Sequence, residues 1–84
     1  MNDQRRKTLA GAQRMLQYAL DAIDQVIDDE RDALAGIPEN MAERVERCEG
    51  AISELEEAKS SVEEAVRQIG LGNRMIGGVH DPRS

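Results

Sequence analysis

Apolar residues recur at helical spacing along two stretches of this chain, and the recurrence stops between them at Ala35-Gly36-Ile37-Pro38-Glu39-Asn40. Gly36 can close a helix by adopting the left-handed conformation, and Pro38 cannot continue one. Asn40 followed by Glu43 has the form of a capping box, with Asn in place of Ser or Thr. A start at Pro38, as first helical residue, is the competing boundary. Ile37 is apolar and is expected to tuck under the end of the fold. The pattern predicts an all-α chain, an antiparallel helical hairpin of two long helices. Helix 1 is expected over about 4–35, the turn over 36–40 and helix 2 over about 40–69.

A seven-residue frame sharpens this. On helix 1 it places Leu9, Leu16, Ile23 and Glu30 at a, and Ala12, Ala19, Val26 and Ala33 at d. Leu20, Ile27 and Leu34 fall at e, beside that seam, so the apolar face is three columns wide, closer to a bundle helix than to a two-stranded coiled coil. Gly11 is a weak point, costing about 1 kcal/mol relative to alanine in a helix interior. On helix 2, Val45, Ile52, Lys59 and Val66 stand at a, and Met41, Cys48, Leu55, Val62 and Ile69 at d. Ala51, Ala58 and Ala65 make a third column at g. A lone hairpin seam would leave the extra columns wet. Leu20, Ile27, Leu34, Ala51, Ala58 and Ala65 are therefore the candidate oligomer interface, and a homodimer of hairpins forming a four-helix bundle would bury them.

After Ile69 the pattern breaks. Gly70-Leu71-Gly72-Asn73 reads as a helix stop, Gly77-Gly78 and Pro82 follow, and residues 70–84 are expected to form a Gly-rich C-terminal tail. Leu71, Met75, Ile76 and Val79 make it more apolar than a plain linker. Docking on the open end of the bundle or on a partner, and fraying, are both open readings.

Composition narrows the class. Tyr18 is the only aromatic residue, so the apolar inventory suits narrow helix–helix seams better than a sheet. A chain of 84 residues supports one domain, and scaffolds of this size need help to be stable. The lone Cys48 excludes an internal disulfide framework and fits a reducing compartment. No apolar run approaches the roughly 20 residues that span a bilayer, and no hydrophobic stretch follows the basic N-terminal residues as in a signal peptide. The expectation is a soluble, cytoplasmic protein without membrane contact.

Charge is unevenly distributed. Residues 1–20 carry Arg5, Arg6, Lys7 and Arg14 against Asp3, a net +3. Residues 21–57 carry thirteen acids against three arginines, a net −10, and residues 58–84 a net +1. The overall −6 argues against direct nucleic-acid binding. Asp21, Asp24, Asp28 and Asp32 lie away from the seam. Columns of carboxylates on a long helix can imitate the phosphates of a nucleic acid and enter a basic channel; charged helix faces are also commonly just solvated. Most of these acids lack a lysine at i+4, which favours a functional face. Tyr18, outside the seam near Met15 and Arg14, has the composition of an interface hot spot.

Catalysis has little to draw on. His80, the only histidine, falls in the Gly-rich tail, so no Ser–His or Cys–His pair can be placed on rigid elements. Cys48, at a d position, is expected to act as a small hydrophobe. The Glu-x-x-His pairs of di-iron bundles are missing from the sequence. Glu30, on the seam, is expected to meet Arg44 as a salt bridge, and Lys59 to carry its ammonium out to water while its stem packs. No catalytic residue, metal ligand or cofactor is expected.

The run from Asp28 to Met41, followed by the Glu- and Ala-rich second helix, resembles a group of small acidic helical-hairpin proteins of phages and mobile elements. These share an acidic stretch, a Leu/Ile-Pro-Glu-Asn/Ser turn and a Glu/Ala/Leu helix. The resemblance covers roughly the middle half of the chain and excludes the Gly-rich tail. It implies a non-enzymatic accessory protein, of the kind with which phages disable host defences (anti-CRISPR-like), and transfers no functional residues. Two functions are thus expected as alternatives. One is a protein-binding inhibitor acting on a larger, basic partner through Asp21, Asp24, Asp28, Asp32 and Tyr18. The other is an assembly hairpin whose role is oligomerisation.

Overall fold

The computed structural model describes residues 2–78, folded into two helices, α1 (Asn2–Ala35) and α2 (Ala42–Gly78). Cross-helix contacts run in opposite senses along them. Arg31 meets Glu56, Asp24 meets Lys59, Gln13 meets Val66 and Arg6 meets Asn73, which defines an antiparallel hairpin. It is a rod of 68 × 15 × 12 Å. Val79, His80 and Pro82 lie outside the described residues.

The turn is built differently from the expectation. Among the described residues no glycine has a positive φ, so Gly36 does not close α1 in the left-handed conformation. The helix instead tightens at its end: the Gly36 amide donates to Ala33 O and the Ile37 amide to Leu34 O, both at 3.1 Å. These i→i−3 bonds satisfy carbonyls that the helix end would otherwise orphan. The Met41 amide then donates to Pro38 O at 3.0 Å, and Met41 O accepts from Val45 N–H at 3.1 Å. Met41 is therefore the residue at which α2 begins to bond, and the Asn40–Glu43 capping box is not what starts it. Ile37 does tuck under the hairpin end, packed on the core.

The largest correction concerns the rotation of α1. Leu20 and Ile27 are its most buried residues, at 5% and 3% exposure, whereas Val26 is 46% exposed and Ala33 is exposed. The seam thus uses the a and e columns: Leu9, Gln13, Leu16, Leu20, Ile23, Ile27, Glu30 and Leu34 are all buried or half-buried. Their alternating steps of four and three residues make the 3.5-residue repeat of a left-handed supercoil. Energetics accounts for the choice. Fully burying a Leu or Ile side chain stabilises by about 1.5–3 kcal/mol, far more than alanine offers, so α1 turns its e column inward. Apart from Met41, which precedes α2 and is exposed, the expected a/d frame of α2 is the one observed, with Cys48 and Ile52 buried and Val45, Leu55, Lys59, Val62, Val66 and Ile69 half-buried. Ile27, Cys48 and Ile52 form the core, flanked by Ile23, Leu34, Ile37 and Leu55.

α2 also continues where a stop was expected, passing through Gly70, Gly72 and Asn73 to Gly78. Tertiary bonds from α1 hold it there. The Gln13 side-chain amide donates to Val66 O at 3.1 Å, and the Asn73 side-chain amide donates to Arg6 O at 3.3 Å. Gly70 lies against Gln13: a Cβ added there would sit 3.0 Å from Gln13 Nε2. The glycine admits the glutamine, and packing overrides its poor helix propensity.

Two substitution pairs check this account. Ile27→Ala should cost about 2–5 kcal/mol in urea unfolding, while Val26→Ala costs less than about 1 kcal/mol; equal costs would restore the a/d seam. Gly11, which has nothing within 4 Å of an added Cβ, should stabilise by about 1 kcal/mol when replaced by Ala. Gly70→Ala should gain less, because its methyl meets Gln13.

Candidate functional site

The two long sides of the hairpin differ in chemistry. One carries the cross-helix ion pairs. Lys59 Nζ lies 2.7 Å from Asp24 Oδ1, and Arg31 pairs with Glu56. The Asp24 carboxylate pushes the Lys59 amine above its ordinary value, with burial acting weakly in the other direction. Asp24, Ile27, Arg31, Glu56, Lys59, Ser60 and Glu63 line one shallow depression on this side. Being largely exposed, these pairs contribute to register more than to stability.

The opposite side carries the d column displaced from the seam and the column outside it. On α1 these comprise Thr8, Ala12, Met15, Ala19, Ala22 and Val26, without a charge between Thr8 and Val26. On α2 the same side carries Ala51, Ala58 and Ala65. Ala33 shares a depression with Arg44 and Arg47, and Thr8 shares one with Ile76, which ties these columns of the two helices to one flank. Met15 stands 72% exposed, and Val26, Ala51 and Ala58 are exposed as well.

The expected oligomer residues are therefore divided. Leu20 and Ile27 are covered by α2 within the hairpin, and Leu34 packs on its core, so this column is not open to a second molecule. Ala51 and Ala58 are exposed and Ala65 is half-buried. Of the alanine and valine column of α1 that the sequence frame had assigned to the seam, Val26 and Ala33 are exposed and Ala12 and Ala19 half-buried, with the exposed Met15 beside them.

The expected partner-binding acids also divide. Asp24 is half-buried and paired with Lys59. Asp28 lies 4.0 Å from Arg31 Nη1 at an exposed position. Asp21 and Asp32 are exposed and, among the described residues, have no ion-pair partner. Tyr18 is 70% exposed. On α2, Glu64 pairs with Arg67, whose guanidinium holds that carboxyl below its ordinary range.

Glu30 does not form the expected salt bridge. It shares a depression with Arg44, but no ion pair joins them among the described residues, and Arg44 Nη1 instead lies 3.6 Å from Met41 Sδ. The partner of Glu30 is Cys48, whose thiol donates to Glu30 O and Glu30 Oε2, each at 3.3 Å. Burial first, and then the Glu30 carboxylate, push the thiol above its ordinary value. A thiol held protonated is a poor nucleophile. Among the described residues, no group of three His, Cys, Asp or Glu side chains is placed to hold a metal ion, and no helix is long and apolar enough to cross a membrane.

No family model matches the chain, and comparisons with characterised proteins and with solved structures return no match.

Cys48 gives a direct check on the seam. Its alkylation at neutral pH should run about tenfold or more below that of a free thiol, with a pH profile displaced to the alkaline side. Glu30→Gln should move that profile back toward neutral. Equal rates for folded and urea-unfolded chain would show Cys48 to be open.

Proposed function

We propose that the chain is a non-enzymatic protein-binding hairpin whose acidic outer face engages a basic surface on a larger partner. The observation that carries this reading is the placement of Asp21, Asp28 and Asp32. They lie at exposed positions of α1, outside both the seam and the apolar flank. At about 1.5 Å of rise per residue they span about 16 Å of helix, a linear series of negative charge. Asp24, neutralised by Lys59, is not part of that series. Tyr18 lies at the end nearer the basic residues and supplies an aromatic anchor beside the charged series.

A phage-type inhibitor of a host defence complex is the finer form of this reading. It is supported by the sequence resemblance and by the charge asymmetry, since a carboxylate column suits a channel lined by Lys and Arg. The assembly reading has its own support in the exposed flank of Met15, Val26, Ala51 and Ala58.

Replacing Asp21, Asp28 and Asp32 together by Asn should lower affinity for a basic partner captured from the natural host by at least about tenfold, with helicity unchanged. Asp24→Asn should have a much smaller effect on binding. Salt-insensitive capture that survives the triple replacement would exclude the acidic face.

A further inference from the structure

We propose that the apolar flank is closed by a second copy of the same chain, docked in the opposite sense, so that the turn of each hairpin lies beside the termini of the other. This is independent of the acidic-face reading, because Asp21, Asp28 and Asp32 lie outside the flank.

Three observations select this occupant. The first is the weakness of the lone hairpin. Among the described residues Leu20, Ile27, Cys48 and Ile52 are the buried hydrophobic ones, and no large side chain is fully buried. A chain of this size with so narrow a core leaves substantial apolar surface to be covered by association. The second is shape. The uncharged stretch of α1 from Thr8 to Val26 runs about 27 Å along this side, eighteen residue steps at about 1.5 Å each. Met15 and Val26 project from α1, while Ala19, Ala22, Ala51 and Ala58 leave room for a neighbour's side chains. An isologous contact pairs such large and small positions with one another.

Charge is the third and sets direction. The flank is uncharged on α1 from Thr8 to Val26, and Arg44 and Arg47 border it only at the turn end, beside Ala33. The hairpin behind it is polarised: residues 1–20 carry +3 and residues 21–57 carry −10. Helices packed about 8–10 Å apart lie within one Debye length at physiological salt, so this polarity is felt across the contact. Same-sense docking sets the two acidic halves side by side. Opposite-sense docking sets each basic end beside an acidic half. A dyad across the flank lays α1 on the second copy's α1 and α2 on its α2, with every neighbouring helix antiparallel, the up-down form of a four-helix bundle.

The test is solution mass by light scattering on the unmodified chain at tens of micromolar. The expected result is twice the 9.3 kDa chain mass. Met15→Glu and Ala58→Glu, both at exposed positions, should each return one-chain mass with helical circular dichroism retained, whereas Ser60→Glu on the ion-paired side keeps two-chain mass. For direction, a spin label on Glu39→Cys in a Cys48→Ala background should give an inter-label distance close to the full length of the rod. A one-chain mass for the unmodified protein overturns the proposal, as does dissociation by Ser60→Glu as readily as by Ala58→Glu. Turn labels lying side by side overturn the antiparallel docking.

Discussion

Ile27 packs against Cys48 and Ile52, and the remaining geometry follows from that contact. In a two-helix hairpin each helix has one face to bury, and the face chosen is the one that removes the most apolar area from water. For α1 that is the column of Leu20, Ile27 and Leu34 beside that of Leu9, Leu16 and Ile23. Once α1 is rotated to satisfy it, Asp24 and Arg31 are carried to one side, within reach of Lys59 and Glu56. The alanines, Met15 and Val26 are carried to the other. The two unlike flanks are consequences of a single packing choice.

Polar groups then act at the seam as register marks. Gln13, Lys59 and Asn73 each reach a specific group on the opposite helix, and the Cys48 thiol fills the gap beside Glu30. A shift of one turn along the rod would break all of these together while leaving much of the apolar contact intact. Apolar burial therefore supplies the attraction, and these contacts supply the alignment.

The hairpin, the position of its turn and the α2 seam from Val45 to Ile69 were legible in the sequence, because Pro38 interrupts an otherwise clear helical period. The rotation of α1 was not. Three adjacent apolar columns fit two different seams, and the periodicity cannot rank them; side-chain size can, since leucines and isoleucines outweigh alanines. Glu30 was assigned to Arg44 by opposite charge and antiparallel proximity, when the buried neighbour in reach was a thiol. The end of α2 was misplaced because glycines at 70 and 72 were weighed by propensity, and the long-range bonds of Gln13 and Asn73 that override it have no local signature. Of the acidic face, Asp24 differs from Asp21 and Asp32 in being half-buried and paired with Lys59, thirty-five residues away.

The core is not spread evenly along the rod. Ile27, Leu34, Ile37, Cys48, Ile52 and Leu55 all lie in the half nearest the turn, whereas the half nearest the termini is joined by Gln13, Gly70 and Asn73 around fewer large apolar groups. The strongest contacts are therefore also those closed by the shortest loop, whose entropic cost is least. The two ends of the rod are thus held by different means, the acidic end by a larger share of apolar contact and the basic end by a larger share of polar contact.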